Sequence, residues 1–307
     1  MTREQKEELL NLCPVGKVLF DEPMSRHCLM GVGGPVEALV VPETMEELKG
    51  VIAWAMERKV DYRFWGAGSN TLVRDRGLRG LAIRLGQGFD FLESERELDG
   101  FALVSAGAAT PTRRFVEWGA KEGLEGVETL SGCCGTLGGN VLTNAGAGEK
   151  AIADFVEEIT VVDREGRELT MKRAALRFEY RELKIPKTMA VVRALFRFKK
   201  TEPSEVEAAV SARAVAREES QPTGVRSLGC VFKNPQKPQA GVLIEEAGLK
   251  GVRIGGARVS SVHANFIINE GKASARDVCV LMGLIRERVK ERTGIVLEPE
   301  IEVLGEE

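Results

Sequence analysis

One short stretch constrains this chain more than any other: Gly132-Cys133-Cys134-Gly135-Thr136-Leu137-Gly138-Gly139-Asn140, closed by Asn144-Ala145-Gly146-Ala147-Gly148. Glycine is costly to order and is useful where a backbone must bend or approach something closely. Clustered N–H groups with no side chains in the way form a concave anion site. A diphosphate fits such a site, so the stretch reads as a dinucleotide cradle. The spacing is neither Gly-x-Gly-x-x-Gly after a strand nor Gly-x-x-x-x-Gly-Lys-Ser/Thr, which excludes the Rossmann and Walker forms. The plainer alternative is a glycine-rich surface loop, although loops are also where binding residues concentrate.

A second loop points the same way. Tyr62-Arg63-Phe64-Trp65 reads as a strand that runs straight into Gly66-Ala67-Gly68-Ser69-Asn70. Ser69 and Asn70 each carry a side-chain donor suited to an oxyanion. Gly, Ser and Asn also form ordinary turns, so the loop alone decides little. Two such loops in one half of a chain favour a large phosphorylated cofactor. Gly66, Ala67, Gly68, Ser69, Asn70, Gly132, Gly135, Thr136, Gly138, Gly139 and Asn140 are its candidate residues.

At 307 residues and 43% hydrophobic content the chain can bury large cores in two or three domains. Its net charge is −3 with both signs interspersed, and no basic tract points to nucleic acid or an anionic membrane. Thr2-Arg3-Glu4-Gln5-Lys6-Glu7-Glu8 lacks an apolar signal region, and no apolar run is long enough to span a bilayer. The expectation is a cytoplasmic protein with no membrane or nucleic-acid partner. Cys13, Cys28, Cys133, Cys134, Cys230 and Cys279 show no Cys-x-x-Cys pairing and read as free thiols. His27 and His263 are the only histidines, which disfavours a zinc site or a histidine-based hydrolase. No metal is expected.

Along the chain α and β segments alternate. Helices are expected over 2–12, from the capping-box sequence Thr44-Met45-Glu46-Glu47 to about Arg58, and from Thr110-Pro111 to about Glu122 with Gly123 beyond. Strands are expected at 38–41, 62–65, 81–85, 101–105, 159–162, 168–171 and 190–198, the last with period-two alternation. Lys199-Lys200-Thr201-Glu202-Pro203 is a charged break before a polar helix to about Arg217, so a domain boundary is placed near residue 200. A last helix starts at Ser274, with Asp277 three residues on and Val278, Leu281, Met282, Ile285 and Val289 on one core-facing side.

Three later segments carry chemistry-bearing groups. Gly229-Cys230-Val231-Phe232-Lys233-Asn234-Pro235 sets a thiol, an ammonium and an amide beside a turn. Cys230 alone reads equally as a small buried apolar residue. Phe178-Glu179-Tyr180-Arg181 precedes Pro186, and Arg181 alone reads as a solvated charge. Leu297-Glu298-Pro299-Glu300-Ile301 puts two carboxylates around a proline.

In conjunction these segments resemble the UDP-N-acetylenolpyruvoylglucosamine reductase family. The matching runs are Gly66–Asn70, Gly123–Glu128, Gly135–Asn140, Asn144–Ala147, Tyr180-Arg181, Phe232–Pro235, His263-Ala264-Asn265-Phe266 and Leu297–Glu300, in family order over nearly the whole chain. The resemblance implies an α+β chain with the two-lobed FAD-binding fold typified by vanillyl-alcohol oxidase plus a C-terminal α+β substrate-binding domain. It implies a first lobe over 1–65, to which a tail over 291–307 returns, a second lobe over 66–201, and a substrate domain over 202–290. Only Tyr62 and Tyr180 exist in the chain, which implies the subclass lacking the substrate-capping tyrosine loop.

The resemblance also implies the chemistry: non-covalent FAD, reduced by NADPH, reduces the enolpyruvyl ether of UDP-N-acetylglucosamine to UDP-N-acetylmuramate for peptidoglycan. It adds Ala145 to the cofactor residues and makes Tyr180, Lys233, Asn234 and Asn265 substrate-binding. Arg181, assisted by Glu300, meets the negative charge that develops at the carbon next to the one that accepts hydride, and a positioned acid protonates that neighbouring, enolate-like carbon. The family has serine there and this chain has Cys230; a thiol, with an ordinary pKa of about 8.5, is the stronger acid. Other departures are Cys133-Cys134 for Ile-Pro, Gly148 where tyrosine is usual, and Leu183 for serine. A monomer is expected. The alternatives are another flavin oxidase or dehydrogenase of the same fold, with Cys133 or Cys134 available to tether flavin, and a catalytically impaired flavin-binding relative.

Overall fold

The structure, a computed structural model, describes residues 1–148, 150–235 and 237–306. Seven α-helices form among them: α1 (Arg3–Leu12), α2 (Met45–Glu57), α3 (Thr112–Lys121), α4 (Leu137–Leu142), α5 (Pro203–Ser220), α6 (Ala240–Glu246) and α7 (Ala275–Thr293). The chain divides into two compact units. Unit 1 comprises Met1–Phe20, Glu37–Ala67 and Gly80–Ala216; unit 2 comprises Asp21–Val36, Gly68–Arg79 and Arg217–Glu307.

A four-stranded sheet runs in the order Lys17–Pro23, Pro35–Val41, Leu78–Ile83, Tyr62–Phe64. Its last two strands are parallel, with Tyr62 opposite Leu81 and Phe64 opposite Ile83. Leu9 of α1 and Leu48, Val51, Ile52 and Ala55 of α2 close a core over Ala38, Val40 and Ile83. A larger antiparallel sheet orders Glu168–Lys172, Val156–Val162, Ala190–Lys200, Phe101–Gly107 and Leu92–Leu98. Phe115 of α3 anchors its core, with ring centroids 5.2 Å from Phe196 and 6.0 Å from Phe198. Leu92–Leu98 has no apolar alternation to announce it. It reads Leu-Glu-Ser-Glu-Arg-Glu-Leu, is almost wholly exposed, and lies at the sheet edge, where charges discourage further pairing.

In unit 2 the strands Arg226–Cys230, Phe266–Asn269, Ala257–Val259 and Arg253–Ile254 form an antiparallel sheet in that order. The expected face of α7 is buried: Val278, Leu281, Met282, Ile285 and Val289 join the core with Leu228 and Ile267. The tail strand Glu302–Leu304 pairs in parallel with Thr71–Val73, with Glu302 opposite Thr71.

Several local expectations shift. The break at 199–203 is real, since strand Ala190–Lys200 ends there and α5 begins at Pro203. The division between units nevertheless falls inside α5, because Val206 and Val210 still pack on the aromatic core of unit 1. The tail lies in unit 2, where its strand pairs with Thr71–Val73 and where Leu297 and Ile301 share a core with Cys28, Met30 and Val32. The N-cap of α3 is Pro111, and the Thr110 hydroxyl donates instead to the Phe91 carbonyl at 3.1 Å. At α2 only half the capping box forms. Thr44 accepts the Glu47 N–H at 3.2 Å, and the Glu47 carboxylate takes the N–H groups of Val15, Gly16 and Glu43. At α7 the box is complete: Ser274 and Asp277 exchange both bonds, at 3.0 and 2.9 Å.

Candidate functional site

Unit 1 contains a cleft of about 410 Å³, within the range of small-molecule sites. Gly66, Ala67, Thr136, Gly138 and Gly139 line it, as the two glycine loops require. Strand Tyr62–Phe64 delivers the first loop, its end tied down by the Trp65 N–H bonding to the Ile83 carbonyl at 2.7 Å. Beyond that point the N–H groups of Gly66 and Ala67 have no intramolecular acceptor among the described residues, so they are available to a ligand.

The second loop turns into a short helix, which uses part of its backbone N–H groups. Its core is helical: Thr136 caps α4, with its hydroxyl accepting the Gly139 N–H at 3.4 Å. The N–H groups of Leu137, Gly138 and Asn140 bond to the carbonyls of Thr110, Ala108 and Thr136, each at 2.9 Å. These four donors are therefore spent. What the glycines supply is room. A Cβ on Gly138 would lie 2.8 Å from the Ala108 Cβ, and one on Gly66 3.2 Å from the Thr136 hydroxyl. Positive φ occurs at Gly132 (70°) and Gly135 (113°), but not at Gly138 or Gly139.

Gly132, Gly135, Asn140 and Ala145 support the cleft without lining it. The Gly135 carbonyl accepts from the Thr112 N–H (3.0 Å) and hydroxyl (3.1 Å). Buried Asn140 donates its side-chain amide to the Thr112 hydroxyl at 2.6 Å. The Ala145 N–H bonds to the Asn140 carbonyl at 2.9 Å. The opposite wall had no motif signal. Lys17, Glu43, Arg84, Gly86 and Gln87 belong to it, brought together by sheet pairing, and the Ala108-Ala109 turn, packed on Gly138, completes the lining.

Tyr180 and Arg181, also in unit 1, are the two-residue turn of a short hairpin in which Glu179 pairs with Glu182. Arg181 is held at φ 59°, an unusual conformation for a long side chain. Its guanidinium donates to the Gly146 carbonyl at 3.2 Å and lies 5.5 Å from the Tyr180 ring. Asn144 donates to the Glu179 carbonyl at 2.9 Å. The Asn144–Gly146 segment thus grips the hairpin that presents Arg181.

The remaining candidates gather in unit 2. Cys230 ends its strand just after Gly229 (φ 76°), at a register shift against Phe266–Asn269. Asn265, 1% exposed, clamps the next turn: it accepts the Phe232 N–H at 3.0 Å and donates to the Phe232 carbonyl at 2.8 Å. Its amide is committed to the scaffold. Phe232 bridges Pro299, the Lys233 N–H bonds to the Glu298 carbonyl (2.8 Å), and the Glu300 N–H bonds to the Val231 carbonyl (2.8 Å). Cys230, Lys233 and Glu300 therefore sit on two adjoining extended segments. Asn70 fastens the second segment. Its amide donates to the Glu300 carbonyl at 3.2 Å, and its own carbonyl accepts the Glu302 N–H at 2.9 Å. Gly68 fits because a Cβ there would lie 2.1 Å from the His27 carbonyl oxygen, and Ser69 follows it, half-buried. The Asn234 carboxamide oxygen accepts the Ala240 N–H at 3.1 Å.

Both histidines have structural partners. His27 pairs with Glu22 at 3.0 Å, and His263 accepts the Asn265 N–H at 3.1 Å. Burial pushes the His263 imidazole below its ordinary value.

Comparison with known proteins covers nearly all of this architecture. Residues 36–172 match the FAD binding domain family, and residues 221–304 match the family described as UDP-N-acetylenolpyruvoylglucosamine reductase, C-terminal domain. The UDP-N-acetylenolpyruvoylglucosamine reductase of Syntrophus aciditrophicus is 40% identical over 98% of this chain and 96% of its own length. That of Geobacter metallireducens is 40% identical over 95% of each chain. The crystal structure of the reductase from Thermus caldophilus superposes with a TM-score of 0.79 at 35% identity, covering 94% of this chain and 99% of the other.

Proposed function

The chain belongs to the UDP-N-acetylenolpyruvoylglucosamine reductase family, and from that premise we propose how its residues divide the work. It is an FAD-dependent oxidoreductase that reduces the enolpyruvyl ether of UDP-N-acetylglucosamine to UDP-N-acetylmuramate for peptidoglycan, with NADPH as reductant. Its fold is the α+β class with the vanillyl-alcohol-oxidase type of FAD-binding fold. The observation that carries the site reading is that both glycine loops of the unit 1 cleft, and most of its other lining residues, fall within the segment matched by the FAD-binding family.

The cleft fits that cofactor. It offers N–H groups at Gly66 and Ala67, a wall without side chains at Gly138 and Gly139, and Lys17 as a cation. Bound FAD supplies the hydride transfer from NADPH to the methylene carbon of the enolpyruvyl group. Arg181 presents fixed positive charge to the substrate carboxylate as charge develops beside the reduced carbon. Glu300 assists it. Cys230 donates the proton that completes the new C–H bond, and its thiolate is then reprotonated from solvent. Lys233, Asn234 and Tyr180 hold the substrate, while Asn265 sets the turn that carries Lys233. Residues 202–290 act as the substrate-binding part, with 1–65 and 66–201 forming the two flavin lobes. The enzyme belongs to the subclass without the tyrosine cap, binds FAD non-covalently, and works as a cytoplasmic monomer without nucleic acid or membrane. Among the described residues, no helix is long and apolar enough to cross a bilayer.

The deciding assay is anaerobic NADPH oxidation by the flavin-loaded protein, with and without the enolpyruvyl ether. Substrate-dependent oxidation is expected; an intact flavoprotein that never turns over would make it an impaired relative. Acid precipitation should release all yellow colour, whereas colour retained in the pellet would mean a covalent flavin.

A further inference from the structure

The Thr44-x-x-Glu47 pair reads in sequence as a helix cap, and its acid is diverted elsewhere. Glu47 is 6% exposed. One carboxylate oxygen accepts the N–H groups of Val15 (2.7 Å) and Gly16 (3.1 Å), and the other accepts that of Glu43 (2.8 Å). Burial pushes this carboxyl up, and the backbone donors more than offset it, so it is held below the ordinary glutamate value.

We propose that Glu47 is a positioning residue for the flavin cleft, one buried carboxylate that fixes the wall bearing Lys17 and Glu43. The inference deepens the flavin reading and rests on it. Lys17 directly follows the clamped Gly16, and both Lys17 and Glu43 line the cleft. Lys17 has no ion-pair partner among the described residues, so its charge is available to a diphosphate-bearing ligand. The clamp extends one step further. The Glu43 carboxylate accepts the Gly88 N–H at 3.1 Å, and the Gly86 N–H bonds to the Pro42 carbonyl at 2.9 Å. Gly86 and Gln87 complete that wall. There is no slack in the arrangement. A Cβ on Gly16 would lie 2.3 Å from the Val41 carbonyl oxygen, and one on Gly88 1.8 Å from that of Glu43. All these residues belong to unit 1.

Glu47→Gln replaces one acceptor oxygen by an N–H₂ donor facing N–H groups, so it must release either the Val15–Gly16 turn or Glu43. FAD dissociation constants, read from quenching of flavin fluorescence by the full-length apoprotein, test this. Glu47→Gln should bind FAD about tenfold more weakly, and Glu47→Asp, which keeps the charge, should recover part of the loss. In a Lys17→Met/Glu43→Ala background Glu47→Gln should add less than about twofold, because coupled residues are not additive. Unchanged affinity in Glu47→Gln, no recovery in Glu47→Asp, or a full additional loss in that background overturns the proposal. Should Glu47→Gln not fold, Gly16→Ala reads the same clamp from the other side, with the same expected weakening and the same meaning if affinity is unchanged. A parent protein that takes up no FAD would overturn the flavin reading itself, a separate outcome.

Discussion

The cleft of unit 1 and the Cys230–Lys233–Glu300 cluster of unit 2 are built on opposite principles. The cleft is made by omission. Gly138 sits where any side chain would strike Ala108, and Gly66 where one would crowd Thr136. The cluster is made by display. A thiol, an ammonium and a carboxylate project from two segments cross-tied through Phe232 and Pro299, and through Glu300 and Val231. Substitutions in the first region should therefore act on whether a cofactor is held. Substitutions in the second should act on what happens once it is.

The contrast is broken or sharpened by four tests, in falling order of effect. Gly138→Val should leave no detectable flavin, since a β-branched side chain cannot be accommodated 2.8 Å from Ala108. The apoprotein should lose about 1–3 kcal/mol by overpacking. Normal flavin absorbance in that variant would show that the glycines are scaffold only. Cys230→Ala should keep full flavin content and slow the step after hydride transfer by about 10²–10⁴-fold, while Cys230→Ser stays active. Rapid-quench measurement of product formation by the two variants decides; an alanine variant that forms product as fast as the parent would reduce Cys230 to a packing residue. Arg181→Ala and Glu300→Gln should leave reduction by NADPH intact and slow turnover of the reduced enzyme by about 10²–10³-fold. Equal losses in both half-reactions would erase the distinction between holding and reacting. Gly66→Ala should weaken FAD only a few-fold, as its Cβ meets a hydroxyl at 3.2 Å that can give slightly; titration of the apoprotein measures it.

Legibility followed the same contrast. Spacing alone located the glycine segments, because few functions demand so many missing side chains. It did not foresee the helix, since glycine is a poor helix former and nothing in Thr136-Leu137-Gly138-Gly139 announces α4. The other wall of the cleft was invisible. Lys17, Glu43 and Gly86 come from separate segments joined by pairing such as the Arg84 N–H to the Val40 carbonyl at 2.9 Å, and no local pattern encodes a register. Asn70, Asn140 and Asn265 were all read as ligand donors. Their amides prove to be tied to Glu300, Thr112 and Phe232, because an amide able to grip a ligand is equally able to grip backbone. The two capping boxes make the point most simply. Ser274–Asp277 does what its sequence says, while Glu47 bonds to the neighbouring Glu43 N–H and to the N–H groups of Val15 and Gly16, which the fold brings from a distant segment.

The pairing of Glu302–Leu304 with Thr71–Val73 also sets a timetable. A ribosome adding about 5–20 residues per second releases the tail strand on the order of ten seconds to a minute after its partner. Until then Thr71–Val73 stays unpaired on that side, and unit 2, assembled from three stretches that include both strands, cannot close. Unit 1 needs nothing beyond Ala216 and is free to fold during synthesis. The nascent enzyme thus passes through a stage with its cofactor cleft formed and its thiol cluster still unassembled, and translation arrested before Glu302 would strand it there.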